Sequence, residues 1–326
     1  MRQLTLATAG FEKHRKVTRR AAFLAEMEQV VPWSELCAIT APYYPKRGNG
    51  RPPVGLERML RLHFLQHWFN LSDPAAEEAL YESASMRQFV GIDLGCEPVP
   101  DETTILNFRH LLERHDLGAA LFTRVNQHLA ARGLQVAGGT IVDATIIAAP
   151  SSTKNQAKAR DPEMHQTRKG QQWYFGMKLH IGVDSRTKLI HSMAATAANV
   201  HDARMLPHLL HGAERCVYGD QAYRGQQAVI RAQAPQAKDF INRRYRHRGV
   251  VDEAERAKNR AKSRVRAKVE HSFGVIKRVF GFDKVRYRGL AKNKQRLWVT
   301  CGLANLKKSR LNLTDGVCWP QRRTPP

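Results

Sequence analysis

Long apolar runs are absent from this chain of 326 residues. No window of roughly 20 consecutive apolar residues occurs, so no segment reads as a membrane-spanning helix. The chain opens without a charged-then-apolar leader ending in small residues, and the expected setting is intracellular. Cysteine is sparse: Cys37, Cys96, Cys216, Cys301 and Cys318 are scattered, and none falls in C-x-x-C spacing. That pattern speaks against a structural zinc site and against a disulfide framework. Acidic residues are scarce too, but only in one part of the chain. Residues 1–140 carry 16 Lys and Arg against 15 Asp and Glu, whereas residues 141–326 carry 37 against 14.

The formal charge of +24 therefore resides almost wholly in the second part. A surplus this concentrated calls for a polyanionic partner. Membrane surfaces usually attract amphipathic helices with large apolar residues opposite the basic face. Here "RRYRHRG" (residues 243–249) alternates instead. A phosphate backbone is the better match, and a merely soluble basic surface is the plain alternative.

The length allows two domains, each able to bury a core. Residues 1–50 read as an N-terminal arm: basic "FEKHRKVTRR", helix-like "AAFLAEMEQVV", then the turn-rich run that starts at "APYYPKRG". Residues 51–135 follow a helical period. Leu56, Met59, Leu60, Phe64 and Trp68 recur near helical spacing, "SDPAAEEALYE" opens on Asp-Pro, and Asp101 is placed to cap "ETTILNFRHLLERH". Short helices with tight links suggest a bundle, which would serve packing, dimerisation or DNA reading through a helix-turn-helix.

From Gly138 the pattern turns to strands. "GGTIVDATIIAA" reads as a strand buried on both faces, and residues 150–172 as a long mobile polar loop. "WYFGMKLHIGVD" and "LIHSMAATAA" read as strands joined by the turn "DSRTK". "RCVYGD" follows as a short strand, set parallel to the first by a right-handed crossover. "HDARMLPHLLH" and "RGQQAVIRAQ" read as helices, "KDFINR" as a strand, residues 244–259 as a basic linker, and residues 260–279 as a long helix. Together, residues 136–312 form an α/β domain with a mixed sheet flanked by helices. Residues 313–326 read as a disordered tail.

Three acids stand out. Asp143 interrupts an apolar strand, where an ionised carboxylate is costly unless paired or bound to metal. Asp220 ends "CVYGD", at the carboxyl end of a strand where ligands gather in open α/β sheets. Glu270 borders the apolar stripe Val265, Val269, Phe273, Ile276 and Phe280, with Arg266 and Lys277 on its side of the helix. Taken singly, each has a plain reading: a buried Asp bonded to backbone or Arg, a turn Asp, and a helix ion pair. Taken together, they can converge on a site for Mg²⁺ or Mn²⁺, hard ions that prefer oxygen ligands and accept phosphate oxygens.

"TIVDAT", "VYGDQAYRG" and "RAKVEHSFGVIK" resemble the DDE transposases of bacterial insertion sequences, particularly the insertion sequence five type. That family surrounds its catalytic Glu with Y-x2-R-x3-E-x6-K; Arg266, Glu270 and Lys277 fall at those spacings, while Ser263 stands at the Tyr position. "NVHDARML", from Asn199, is similar to the family segment before the second Asp. The resemblance covers about residues 50–310. It implies a ribonuclease H-like catalytic domain with Asp143 on the first strand, Asp220 after the fourth and Glu270 on a late helix. It further implies two Mg²⁺ (or Mn²⁺) ions held by these three acids. The DNA partners would be inverted-repeat ends and target DNA, and the protein would act at the bacterial nucleoid as a homodimer or higher oligomer. Residues 51–135 would be the DNA-end-binding or dimerisation domain.

Arg266 and Lys277 are then candidates to position phosphates. Lys178 and His180 are weaker candidates for approaching DNA, as are Tyr223 and Arg224, by base stacking or phosphate contact. Asp202 reads as a helix cap and Trp298 as core. Two other functions fit the same composition: a structure-specific nuclease of this fold, and a DNA-binding transposase remnant without catalysis.

Overall fold

The computed structural model describes residues 16–314 apart from 50, 51, 135, 137, 157 and 249, with side chains up to residue 310. The sequence-predicted tail, except its first two residues, lies outside the described residues, as do residues 11–15 of the basic opening. Among the described residues seven α-helices come first: α1 Arg19–Val30, α2 Trp33–Thr40, α3 Leu56–Trp68, α4 Asp73–Glu82, α5 Ala84–Val90, α6 Glu102–Arg114 and α7 Leu117–Ala131. Side chains start several of them, each accepting an otherwise orphaned N–H of the first turn. Thr18 accepts from Ala21, Ser72 from Ala75, and Asp101 from Thr104. The segment read as an arm is thus helical from Arg19, and it buries Leu24, Met27, Val30, Trp33 and Leu36 in the core.

The α/β part begins with β1 Gly139–Ala148, β2 His165–Lys169, β3 Gln172–Asp184 and β4 Ile190–Ala197. After a 3₁₀ turn and the short α8 Leu206–Leu209 come β5 Cys216–Tyr218, α9 Gln227–Gln233 and β6 Lys238–Asp239. β1 is antiparallel to β3 and parallel to β5, β5 is parallel to β6, and β3 also pairs antiparallel with β2 and β4. This is the expected mixed sheet. Close packing at the β5 end needs Gly219, because a Cβ there would come within 3.2 Å of both Val142 and the Tyr223 ring.

Two segments differ from the reading of the sequence. Residues 165–169, expected to be loop, form β2, because the polar "HQTRK" pairs with the extended start of β3. The preceding loop is tied down as well: Asp161 accepts the Gly289 N–H at 2.7 Å, Glu163 accepts that of Leu290, and Met164 is buried. The added strand also moves Asp220 from behind a fourth strand to behind the fifth. The basic linker is shorter than expected. A small hairpin, β7 Arg246–His247 with β8 Val250–Val251, leads directly to Asp252, which caps α10 Glu253–Arg266.

After α10 the helix is irregular. A 3₁₀ turn spans Ala267–Val269, α11 is Glu270–Gly274, and a π-helical turn covers Val275–Val279. The expected stripe Val269, Phe273, Ile276 and Phe280 is buried against the sheet. The last helix, α12 Leu290–Thr314, packs on α7, α1, α3 and β4. Its buried Leu297, Leu303, Ala304 and Leu306 join one hydrophobic cluster running from the N-terminal helices to one face of the sheet. The opposite face has its own cluster of Val142, Leu206, Leu209, Val217, Tyr223, Ile230 and Ile241.

Candidate catalytic site

Strand register places the two aspartates. Ile141 pairs with Tyr218 across the parallel β1–β5 ladder. Asp143 and Asp220 each follow that last pair by two residues, and paired strands run about 4.8 Å apart. The Asp143 side chain is 14% exposed. Its Oδ1 accepts the Ala144 N–H at 2.8 Å, and its Oδ2 accepts from Arg266 Nη1 at 3.1 Å. Asp220 caps the 3₁₀ turn Gln221–Tyr223 through a 2.9 Å bond from the Ala222 N–H. Glu270 opens α11 and is exposed.

Asp220 and Glu270 both act electrostatically on Asp143. Burial pushes the Asp143 carboxyl up to about 6, and the charges of Asp220 and Glu270 push it the same way. The Ala144 N–H and Arg266 pull it down. A cation placed beside Asp143 would relieve the repulsion that raises its proton affinity. Three carboxylates also supply the hard oxygen donors that a magnesium-like ion prefers. The donor set therefore fits a divalent ion in chemistry. In arrangement, no three His, Cys, Asp or Glu among the described residues stand ready to hold one, and Arg266 is the cation at Asp143.

Lys277 points to the same sheet face. Its Nζ donates to Ile146 O at 2.7 Å and Thr145 Oγ1 at 3.2 Å, tying the Glu270 helix to the strand of Asp143. Burial is the main cause lowering its proton affinity; Asp283 opposes this, and Lys169 adds to it. Ser263 accepts a 3.2 Å bond from Asn242, so a small polar link fills the Tyr position of the family signature. Arg266 and Glu270 lie one helical turn apart, across the 3₁₀ segment.

The remaining candidates lie elsewhere. In the β1–β3 ladder Asp143 faces Ile181, whereas Lys178 faces Ile146 and His180 faces Ala144. Directly paired residues share a face and alternate along the strand, so Lys178 and His180 project from the face opposite Asp143. There Lys178 donates to Asp202 Oδ1 and Val200 O, both at 2.9 Å. His180 is fully buried and bonds Thr196 Oγ1 at 2.8 Å. Tyr223 is also fully buried, its hydroxyl without a hydrogen-bond partner among the described residues. Its ring packs in the smaller core cluster, where a base has no access, while the neighbouring Arg224 is exposed. Asp202, expected to cap its turn, instead answers Lys178, and His201 Nδ1 accepts the Ala203 N–H. Trp298 lies against Phe122 with ring centroids 5.1 Å apart, as expected of a core residue.

Sequence spacing missed Thr145, Asn242 and the backbone acceptors that fix the helix. These are ordinary polar groups with no local signature, and only the folded contacts single them out.

Comparison with known families agrees with this fold. Residues 135–306 match the family model described as "Transposase DDE domain", and residues 11–111 match one described as "Transposase domain (DUF772)". No solved structure matches the chain. The helical region, the mixed sheet with its acidic residues and a family match over more than half of the sequence give one answer: the chain belongs to the DDE transposases, enzymes that process DNA.

Proposed function

We propose that this protein cuts DNA at the ends of an insertion sequence of the insertion sequence five type and joins the freed 3′-hydroxyls to target DNA. Asp143, Asp220 and Glu270 would hold two Mg²⁺ or Mn²⁺ ions. When bound, such ions supply an activated water or hydroxyl and stabilise the leaving oxygen of an in-line phosphoryl transfer. The chain's own groups do the rest. Asp143 must be ionised to act as a ligand, and Arg266 favours that form. As a phosphate enters, Arg266 can shift from Asp143 to the incoming anion, since guanidinium pairs with either in bidentate fashion. Lys277 holds the helix of Glu270 to β1 and thereby sets the spacing of the acids. Arg224, exposed beside Asp220, would position backbone phosphate.

The observation that carries this reading is the neighbourhood of Asp143: a buried strand carboxylate whose charge is opposed by two other acids from separate elements. Residues 136–312 are proposed as the catalytic unit, and residues 51–135 as the part that binds DNA ends or pairs two copies of the chain. Incubation of the protein and Mg²⁺ with DNA carrying the element's two ends tests the whole. Cleavage and joined product are expected, and Asp143→Asn, Asp220→Asn and Glu270→Gln should each abolish both. Cleavage without joining would point to a nuclease of the same fold. Binding without either reaction would point to a DNA-binding remnant. Joining that survives Glu270→Gln would remove Glu270 from the site.

A further inference from the structure

The tip of the β2–β3 hairpin carries a large aromatic that the fold does not use. Trp173 is 64% exposed, whereas Trp33 and Trp68 are buried and Trp298 packs on Phe122. An exposed indole retains apolar area whose burial by a partner would be favourable. Its surroundings define the chemistry of that partner. Arg168 stands directly across the ladder from Trp173, with Lys169 next to it, and residues 165–174 contain no acid. Lys154, Lys158 and Arg160 in the preceding loop are exposed, while the loop's two acids, Asp161 and Glu163, are engaged by the N–H groups of Gly289 and Leu290. The hairpin therefore presents net positive charge around one flat apolar ring.

Its position relative to the acids is equally informative. Trp173 has the parity of Phe175, Met177, Leu179 and Ile181 along β3, and Ile181 is the residue opposite Asp143. Trp173 thus projects on the sheet face of Asp143, eight residues away, or roughly 27 Å at the usual strand rise. That is less than one turn of duplex DNA. Lys277, bonded to Thr145 and Ile146 of β1, lies between, and the charge of Lys169 at the hairpin tip reaches it. A basic track therefore runs from the carboxylates to the hairpin.

We propose that this hairpin is a DNA-contacting finger on which Trp173 stacks against an unpaired base, with Arg168 and Lys169 on the flanking phosphates. Aromatic rings stack on any base, and cations beside them hold the backbone, so the contact reads no sequence. Neither the acids nor the family signature includes these residues. The inference rests on the reading of the protein as one that acts on DNA, and the test separates the two.

The probes are two fluorescent 30-base-pair duplexes of one sequence, the first blunt and the second ending in three unpaired nucleotides, titrated without divalent metal. Wild-type protein should bind both and prefer the unpaired end. Trp173→Ala should weaken binding to the unpaired end by about 5- to 140-fold, the effect of one stacked base, and leave the blunt duplex nearly unchanged. Trp173→Phe should recover most of the loss. Arg168→Ala should lower the salt slope on both duplexes by about one. A thermal-unfolding midpoint equal to wild type establishes that Trp173→Ala is folded, as expected for an exposed side chain. If wild type binds and Trp173→Ala binds the unpaired end equally well, the finger is refuted while the DNA reading stands. If that variant instead turns an oligomer into a monomer with unchanged affinity per chain, the ring belongs to a contact between copies, which also refutes it. If wild type binds neither duplex, both readings fail.

Discussion

The two halves of the molecule use charge in opposite ways. In the N-terminal helices cations are spent internally. Arg58 pairs with Glu97, Arg61 with Glu28 and Glu57, and Arg109 with Asp73 and Glu113. Arg109 also lies 4.1 Å from the centroid of the Tyr287 ring, which locks the helical part to the segment leading into α12. In the α/β half the acids are too few for the cations, and the best-placed acid faces two others. Asp143 feels the charges of both Asp220 and Glu270, and its ion-pair partner is Arg266. Charge in the first half stabilises a fold, whereas in the second the cations outnumber the acids, as suits a polyanionic partner.

Asp143→Asn tests this contrast most strongly. Cleavage should fall by more than about 10³-fold, equivalent to about 4 kcal/mol of barrier. Yet the variant should be more stable than the wild type. A folded-state carboxyl raised to about 6 costs stability once it ionises. That cost is absent below its ordinary value and fully present above about pH 6, where it approaches about 3 kcal/mol. Chemical denaturation at pH 8 and pH 4 should show the stabilisation at the first and little at the second. A destabilised variant at pH 8 would overturn the view of Asp143 as a carboxylate under strain.

In the helical half the opposite result is expected. Arg109→Met leaves Asp73 and Glu113 without their buried cation and should cost about 3 kcal/mol or more of stability. The salt dependence of DNA binding should not move, because this charge never faces phosphate. A change in that slope would blur the division between the halves.

Acid should reveal a third difference. His63 and His67, buried beside Arg296, are held neutral: burial lowers His63 to about 3, and lowers His67 well below its ordinary value. The unfolded chain takes up protons near pH 6.5, so stability falls as pH drops below that point. His63 alone should contribute a loss of about 2 kcal/mol by pH 5. His63→Gln should flatten the decline, as read from unfolding midpoints between pH 7 and 5.

The smallest effect concerns single exposed cations. Replacing Arg264 and Arg288 by Ala should reduce the slope of log affinity against log salt by about two. Replacing Arg58 in the helical half should leave that slope as it was and lose only the weak ion pair to Glu97.

Much of the architecture was legible beforehand. The change from helical to strand period near Gly138, the parallel pairing of β1 with β5 and the cap at Asp101 all follow from local pattern. Residues 165–169 were misread because a polar strand on a protruding hairpin carries no apolar alternation. The start of α10 at Glu253 was missed because Arg-rich composition masks a helix whose buried residues are few. At the site, the acids could be named from their odd placement in apolar elements. Their surroundings could not: nothing local says that Lys277 answers Ile146, that Asn242 reaches Ser263, or that Lys178 and Tyr223 belong to the other side of the sheet.

By itself, then, the sequence determined the order of elements, the imbalance of charge between the halves and the acids worth suspecting, because periodicity and composition are properties of neighbours along the chain. The tertiary structure alone decided which face each side chain takes, which cations are already engaged and which aromatic is left in solvent. Those outcomes depend on strand register and on contacts between residues more than a hundred positions apart, and no local pattern encodes them.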